Sequence, residues 1–408
     1  MRILQINGVI HQGSTGAIVD DICACSLENG DDCIIAYGIG DKTSDGFKFC
    51  YRYEQALYRR CSMITGYRYG FAPLSTMRVK KLIEVYKPDV VHIHSINGNC
   101  INLFKIFEYL KKKDIVTVIT NHAEFFYTGN CTSSYGCKQY LTGCSNCNNK
   151  KWASDSSILP KTDKAWQKMK KAFDGFNHLH VVSVSKYSLE CSKKSPILSQ
   201  YNHSVILNGI NTKIFSFSRD IDIRKKYNLT SKRIAVFVSS GFSIDKDHLK
   251  GGYWLVELAK RYDCTDFQFL VVGSNGENVQ QDNIVFAGRV NESRLLANIY
   301  SQSDVALGFS KSESFGMTCA ESLCCGTPFV GFKCGGTESI AIEEFSRFAE
   351  YGDLDEIDKG INDLINRFVD KKRYISETSK KRYSSDTMAR EYNDLYKELL
   401  YLKQGEEA

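Results

Sequence analysis

The chain has 408 residues, enough for two domains of ordinary size, each burying its own core. Hydrophobic residues make up 43% and charged residues 25%, as in soluble globular proteins, and no run approaches the roughly 18 apolar residues of a membrane-spanning helix. The net charge of +6 is mild, and no nucleic-acid partner is expected from it. Sixteen cysteines with no export signal argue for thiols, or for a metal site, over a disulfide framework.

Met-Arg-Ile-Leu-Gln-Ile-Asn-Gly opens the chain as a strand running into a turn. It lacks the apolar block and cleavage site of a signal peptide, so the expected location is cytoplasmic. A loop, Gly13-Ser14-Thr15-Gly16, follows this strand and precedes a helix from about Ala17; glycines there let backbone approach a ligand. Ile34–Tyr37 reads as a second strand. Residues 45–75 are rich in Tyr and Arg and show no clear period. A helix over Met77–Tyr86 stops at Pro88, and Val90–Ile93 is a buried strand whose His92 and His94 share one face with His94 at its end, as core or as cleft residues. Ile115–Thr120 delivers Asn121-His122-Ala123-Glu124 at its end.

Cys131-x5-Cys137-x6-Cys144-x2-Cys147 places four cysteines in a glycine-rich polar loop. Such a set suits tetrahedral thiolate ligation of a structural zinc, with free or redox-active thiols as the alternative. Four cysteines would leave no open position for catalysis. Lysines cluster at Lys111–Lys113, Lys168–Lys171 and Lys371–Arg373. With 23 Tyr and 23 Phe, they suit either a peripheral contact with an anionic membrane or a solvated surface over an aromatic core.

Strands then recur at Leu179–Val184, Ile234–Ser239, Phe267–Val272 and Ile284–Phe286, the last followed by Gly288. The densest stretch is Ser310–Gly336. An apolar strand, Val305–Phe309, ends in a small-residue turn carrying Glu313. A helix opened by Gly316-Met317 carries Glu321 and stops at Gly326. Strand Phe329–Phe332 and Gly335-Gly336-Thr337 follow. This is an α/β arrangement with ligands expected beyond the strand ends, and a helix start suited to a phosphate. From the residues alone, Glu313 and Glu321 serve equally as ligand contacts or as solvated helix-end charges.

Glu313-x7-Glu321, with Phe315-Gly316-Met317 between and Leu-x-x-Gly-Thr-Pro after, resembles the E-x7-E motif of retaining glycosyltransferases of family 4. The resemblance is dense over residues 305–340 and extends, more weakly, to Pro88–His94, His122, the Cys131 segment, Asn208-Gly209-Ile210-Asn211 and Lys250-Gly251. It implies a GT-B fold, two Rossmann-like domains facing each other across a cleft. One is an acceptor domain over 1–205 with a Cys-rich insertion at 125–150, onto which a last helix at 385–402 packs. The other is a donor domain over 206–384.

The resemblance further implies transfer of a sugar, with retention, from a nucleotide diphosphate-sugar (UDP by base rate) to a glycan or polyprenyl-diphosphate-linked acceptor in surface polysaccharide assembly. No catalytic divalent metal is expected, and a peripheral place at the inner face of the plasma membrane is consistent with it. Lys250 would neutralise the diphosphate, Glu313 orient the sugar and Glu321 hold ribose. His122 would lie near the reacting sugar, while Gly16, Gly288, Phe315, Gly316, Met317 and Thr318 would approach the donor with backbone. The family's arginine before Lys-Gly is missing, which leaves Lys246 or another residue as a substitute. A hydrolase, epimerase or phosphorylase of the same fold, or a zinc-containing binding module, are the competing functions.

Overall fold

Most strands of this chain are near-continuous apolar runs, the pattern of parallel strands covered by helices on both faces. The structure is a computed structural model that describes residues 1–96, 98–145, 147, 161–276, 279 and 281–407. Of the expected insertion at 125–150, residues 146 and 148–150 lie outside the described residues. The chain divides into two compact units, Met1–Leu207 with Asp386–Ala408, and Asn208–Ser385.

The first unit runs β1 (Arg2–Asn7), α1 (Gly13–Glu28), β2 (Asp32–Tyr37), β3 (Gly46–Lys48), α2 (Arg52–Thr65), α3 (Pro73–Tyr86) and β4 (Val90–Ile93). It continues α4 (Leu103–Lys113), β5 (Val116–Asn121), α5 (Phe125–Thr128), α6 (Thr162–Phe173), β6 (Leu179–Ser183), α7 (Lys186–Lys194) and β7 (Asn202–Val205). The strands form one parallel sheet in the order β3-β2-β1-β4-β5-β6-β7.

The second unit runs α8 (Ile223–Tyr227), β8 (Arg233–Val238), α9 (Gly252–Ala259), β9 (Phe267–Val272), β10 (Ile284–Gly288), α10 (Ser293–Gln302) and β11 (Val305–Gly308). Then come α11 (Met317–Cys324), β12 (Phe329–Phe332), α12 (Gly336–Ile340), β13 (Ser346–Ala349), α13 (Leu354–Phe368) and α14 (Lys372–Tyr383). Its sheet is also parallel, in the order β10-β9-β8-β11-β12-β13.

Both sheets therefore reverse strand order once, between β1 and β4 and between β8 and β11. At such a point the connections leave in opposite directions and a crevice opens beyond the strand ends.

Alternation along each strand assigns the two faces of the first sheet. Ile3, Val90, Val116 and Val182 pack with Ile18 and Ile22 of α1 and with Met388, Tyr392 and Tyr396. Leu4, Ile6, Val91 and Ile119 face Leu103, Phe107 and Phe173 of α4 and α6. Tyr392 and Tyr396 belong to α15 (Ser385–Glu407), so the end of the chain covers the α1 side of the first sheet. Ser26 of α1 donates to Asn393 of α15 at 2.7 Å, and the hydroxyls of Thr120 and Tyr392 pair at 3.0 Å.

The glycine loop after β1 is shorter than its sequence suggests. Helix α1 already begins at Gly13, so Gly16 lies in its first turn, and the loop proper is residues 8–12. There the Gly8 amide donates to Ser95 O at 2.8 Å, tying the ends of β1 and β4 together.

Because Tyr392 is a fully buried ring under the sheet, Tyr392→Ala is expected to destabilise the first unit by about 3–5 kcal/mol. Denaturant unfolding of wild type and variant checks this.

Candidate active site

In the second unit the two lips of the reversal point carry opposite charges. After β8 the chain reaches Lys250, and after β11 it reaches Glu313. Lys250 Nζ donates to Glu313 Oε1 at 2.7 Å, with both side chains partly accessible. Two glycines let the backbones come this close. Gly251 has φ +70°, and a Cβ there would lie 2.2 Å from Phe309 O at the end of β11. At Gly336 a Cβ would fall 2.2 Å from the Ser314 carbonyl carbon. That approach allows Glu313 N to donate to Cys334 O at 3.0 Å and Gly336 N to donate to Glu313 O at 2.7 Å. Any side chain at either position would force the loops apart.

Helix α11 starts beside this pair. Gly316 is its N-cap, no side chain caps it, and the amides of Met317 and Thr318 are donors without a partner inside the helix. The Phe315 ring is buried, which leaves its backbone as the part that can meet a ligand. One turn on, the Glu321 carboxylate accepts from the Tyr300 hydroxyl at 3.2 Å. Glu321 keeps some exposed surface, yet burial pushes its carboxyl up to about 7, with the Tyr300 hydrogen bond pulling the other way. Gly288 ends β10 with φ +68° at the same carboxyl edge of the sheet, and its carbonyl accepts from Gly273 N at 2.8 Å.

Lys246 lies on the loop between β8 and α9. Its ammonium sits over the rings of Tyr253 (5.8 Å) and Trp254 (5.5 Å). The cation knitted to the Lys250 loop is Lys311, whose amide donates to Leu249 O at 2.9 Å and whose Nζ donates to Asp247 Oδ1 at 3.1 Å. Lys311 stands two residues before Glu313 in the stretch read most closely from sequence, where attention to the acids hides it. Tyr300 and Glu338 carry no motif signal at all. Glu338 accepts from the amides of Gly335 (2.7 Å) and Cys334 (3.0 Å), fixing the turn that holds Glu313.

In the first unit, β4 and β5 bring three histidines together. His92 bonds Tyr396 Oη at 2.6 Å and Thr120 Oγ1 at 2.7 Å, and burial holds both His92 and His94 well below the ordinary histidine range, hence neutral. Gln5 donates through Nε2 to Tyr396 Oη at 3.2 Å, which turns its Oε1 to His94 Nε2 at 2.8 Å. An amide oxygen only accepts, so His94 carries its proton on Nε2. Its bare Nδ1 then accepts from His122 Nε2 at 3.1 Å. The tautomer of His122 is thus set from the core by Gln5 and, behind it, α15. At the glycine loop, His11 bridges Asp20 (2.9 Å) and Asp45 (2.8 Å), and these partners raise its pKa.

Cys131, Cys137, Cys144 and Cys147 line one small cavity. Among the described residues no group of three or more His, Cys, Asp or Glu is placed to hold a metal ion. The loop has other supports than the sequence suggests. Asn130 Nδ2 donates to Thr162 O at 2.7 Å, Thr162 Oγ1 to Cys144 O at 2.9 Å, and Trp166 Nε1 to Tyr140 O at 2.7 Å. Tyr140, Cys144 and Trp166 also join the main core of the unit. Burial pushes the Cys144 thiol up to about 12, so its uncharged form is favoured. Glu124, the acid after His122, belongs to this loop too: it is buried and accepts from Ser134 N.

Residues 233–367 match the family model described as glycosyl transferases group 1. The chain is 24% identical over 180 residues to N-acetyl-alpha-D-glucosaminyl L-malate synthase of Bacillus anthracis, covering 41% of this chain and 45% of that one. It is 25% identical over 167 residues to the putative colanic acid biosynthesis glycosyl transferase WcaC of Escherichia coli K12, covering 36% and 39%. The matches thus span less than half the length of either of these relatives. In structure, Anabaena Alr3699/HepE in complex with UDP-glucose aligns with a TM-score of 0.65 at 14% identity, over 98% of this chain and 100% of that one. The resemblance to glycosyltransferases read from the sequence holds, and the two parallel sheets are the Rossmann-like domains of a GT-B fold.

The raised Glu321 carboxyl makes a stability prediction. Its folded value near 7 lies above the ordinary 4.5, so the folded state binds more protons than the unfolded state between those values, and stability falls as pH rises through that window. Glu321→Gln removes the cost of the charge, on the order of 2–3 kcal/mol. Thermal unfolding is expected to show the variant stabilised over wild type at pH 8 and little changed near pH 5.

Proposed function

We propose that the chain is a retaining glycosyltransferase that moves a sugar from a UDP-sugar to a hydroxyl of a glycan or lipid-linked oligosaccharide during surface polysaccharide assembly. The observation that carries this reading is the Lys250–Glu313 pair at the strand reversal of the second sheet, beside an uncapped helix start. A cation next to orphan amides suits a diphosphate, and a carboxylate next to both suits the hydroxyls of the sugar attached to it.

In this mechanism Lys250 leaves Glu313 for the donor's phosphates. The anomeric carbon–oxygen bond to the β-phosphate breaks, the acceptor oxygen bonds to the same face of that carbon, and the departing phosphate takes the acceptor's proton. Negative charge grows on the leaving diphosphate, where Lys250 Nζ and the amides of Met317 and Thr318 stabilise it. Glu313, freed from Lys250, accepts from sugar hydroxyls. Glu321 accepts from the ribose hydroxyls, and replacing the Tyr300 hydrogen bond with two from ribose favours its ionised form. To His122 the reading gives contact with the transferred sugar, on the strength of the family resemblance. The colanic acid relative supports the polysaccharide setting, and the UDP-glucose complex of the like-folded Anabaena protein supports the donor nucleotide.

A thermal-shift panel of UDP, GDP, ADP and their sugars, on wild type and Glu321→Ala, tests the reading. UDP at 100 times its Kd is expected to add about 2.7 kcal/mol of stability to wild type and none to the variant at the same concentration. No shift with any nucleotide would sink it.

A further inference from the structure

Helix α2 is amphipathic the wrong way round. Its buried stripe is Glu54, Tyr58 and Ser62, while Tyr53, Leu57 and Ile64 face solvent at 72%, 57% and 72% exposure. The neighbouring α3 buries Val79 and Ile83 but leaves Leu74, Met77 and Val85 exposed, the last at 73%. Of the sixteen large hydrophobic side chains exposed among the described residues, eight lie between Tyr51 and Val85. The two helices are clamped to each other. Arg78 of α3 gives two hydrogen bonds to the buried Glu54 carboxylate of α2, at 2.7 and 2.8 Å, and its guanidinium covers the Tyr51 ring at 4.8 Å. The polar residues inside thus form an internal brace, and the apolar ones outside face solvent.

Apart from Glu84, the exposed charges of these two helices have one sign. Arg52, Arg59, Arg60 and Lys81 are exposed, and none has a carboxylate within ion-pair distance among the described residues. The two acids of the segment are spoken for: Glu54 by Arg78, and Glu84 by Lys113 at 2.7 Å and the Tyr109 hydroxyl. Long basic side chains beside Tyr, Leu, Ile and Met are the composition of a helix lying in a membrane interface, with apolar groups in the acyl boundary and cations at the phosphates. A second copy of the chain would set arginines against arginines, and a neutral protein groove would leave them uncompensated.

We propose that α2 and α3 dock the first unit onto an anionic lipid bilayer. Of the lysine clusters visible in the sequence, the one at 111–113 is partly engaged within the fold. Lys111 there donates to Asp174 O at 2.6 Å and Lys113 pairs with Glu84. This surface is independent of the glycosyltransferase reading and stands or falls separately from it.

Co-sedimentation of the full chain with phosphatidylcholine vesicles, with and without phosphatidylglycerol, tests the proposal. Binding is expected with phosphatidylglycerol only, and is expected to weaken as salt rises. Arg59→Ala with Arg60→Ala is expected to weaken partitioning roughly thirtyfold, from about 1 kcal/mol for each basic side chain. Leu57→Glu with Ile64→Glu is expected to abolish it while circular dichroism and thermal unfolding stay unchanged, because all four side chains are exposed. Absence of binding, equal binding to neutral vesicles, or wild-type binding by both variants overturns the proposal. So does a concentration-dependent dimer in velocity sedimentation that Leu57→Glu dissolves, since the face would then belong to a second copy.

Discussion

The reversal of strand order between β8 and β11 is the constraint on which the second unit's candidate site depends. Parallel strands joined by helices must leave the sheet on one side or the other. Where the direction changes, no connection covers the strand ends. Residues distant in sequence then meet there, and in this chain they are a lysine and a glutamate. Gly251 and Gly336 set how closely the loops carrying them can approach, and Glu338 fixes the second loop through two amides. The ion pair rests on that backbone geometry. Partly open to solvent, it contributes little stability of its own, and this suits a pair that must separate when a ligand arrives.

The first unit repeats the same sheet logic with a different content. Its reversal point, between β1 and β4, is closed by the Gly8–Ser95 hydrogen bond and backed by the hydrogen-bonded chain of Gln5, His94 and His122. The order of bonds from Tyr396 through Gln5 and His94 to His122 makes the last helix of the chain part of how His122 presents its ring. A core tyrosine near the C-terminus thereby bears on a loop residue near position 120, a coupling that no local sequence pattern carries.

Much of the architecture was legible because buried parallel strands are written as apolar runs, and Val90–Ile93, Phe267–Val272 and Phe329–Phe332 stand out as such. The stretch around Glu313 and Glu321 was legible too, because glycines, a helix start and two acids crowd together there. Where residues are chosen for partners distant in sequence, the sequence was silent. Tyr300 is one more aromatic in a helix until its hydroxyl is seen at Glu321. The four cysteines invite a metal by spacing, while the contacts of Asn130, Tyr140, Thr162 and Trp166 that hold their loop carry no sequence signal. Helix α2 hid for the opposite reason. Hydrophobic periodicity reports which face is buried only when the apolar face is the buried one, and α2 inverts that rule with Glu54 inside and Leu57 outside.

Calorimetric titration of UDP into wild type, Lys250→Ala and Glu313→Gln is the most direct test of the ion pair as a ligand-exchanging site. Removing the lysine is expected to weaken UDP about tenfold or more, the scale of a hydrogen bond to a charged group. Removing the glutamate's charge is expected to leave UDP affinity unchanged or tighter, because it releases Lys250 to the diphosphate, while sugar transfer is lost. Unchanged affinity in Lys250→Ala, or an equal loss in both variants, would contradict the account and make the pair a structural brace.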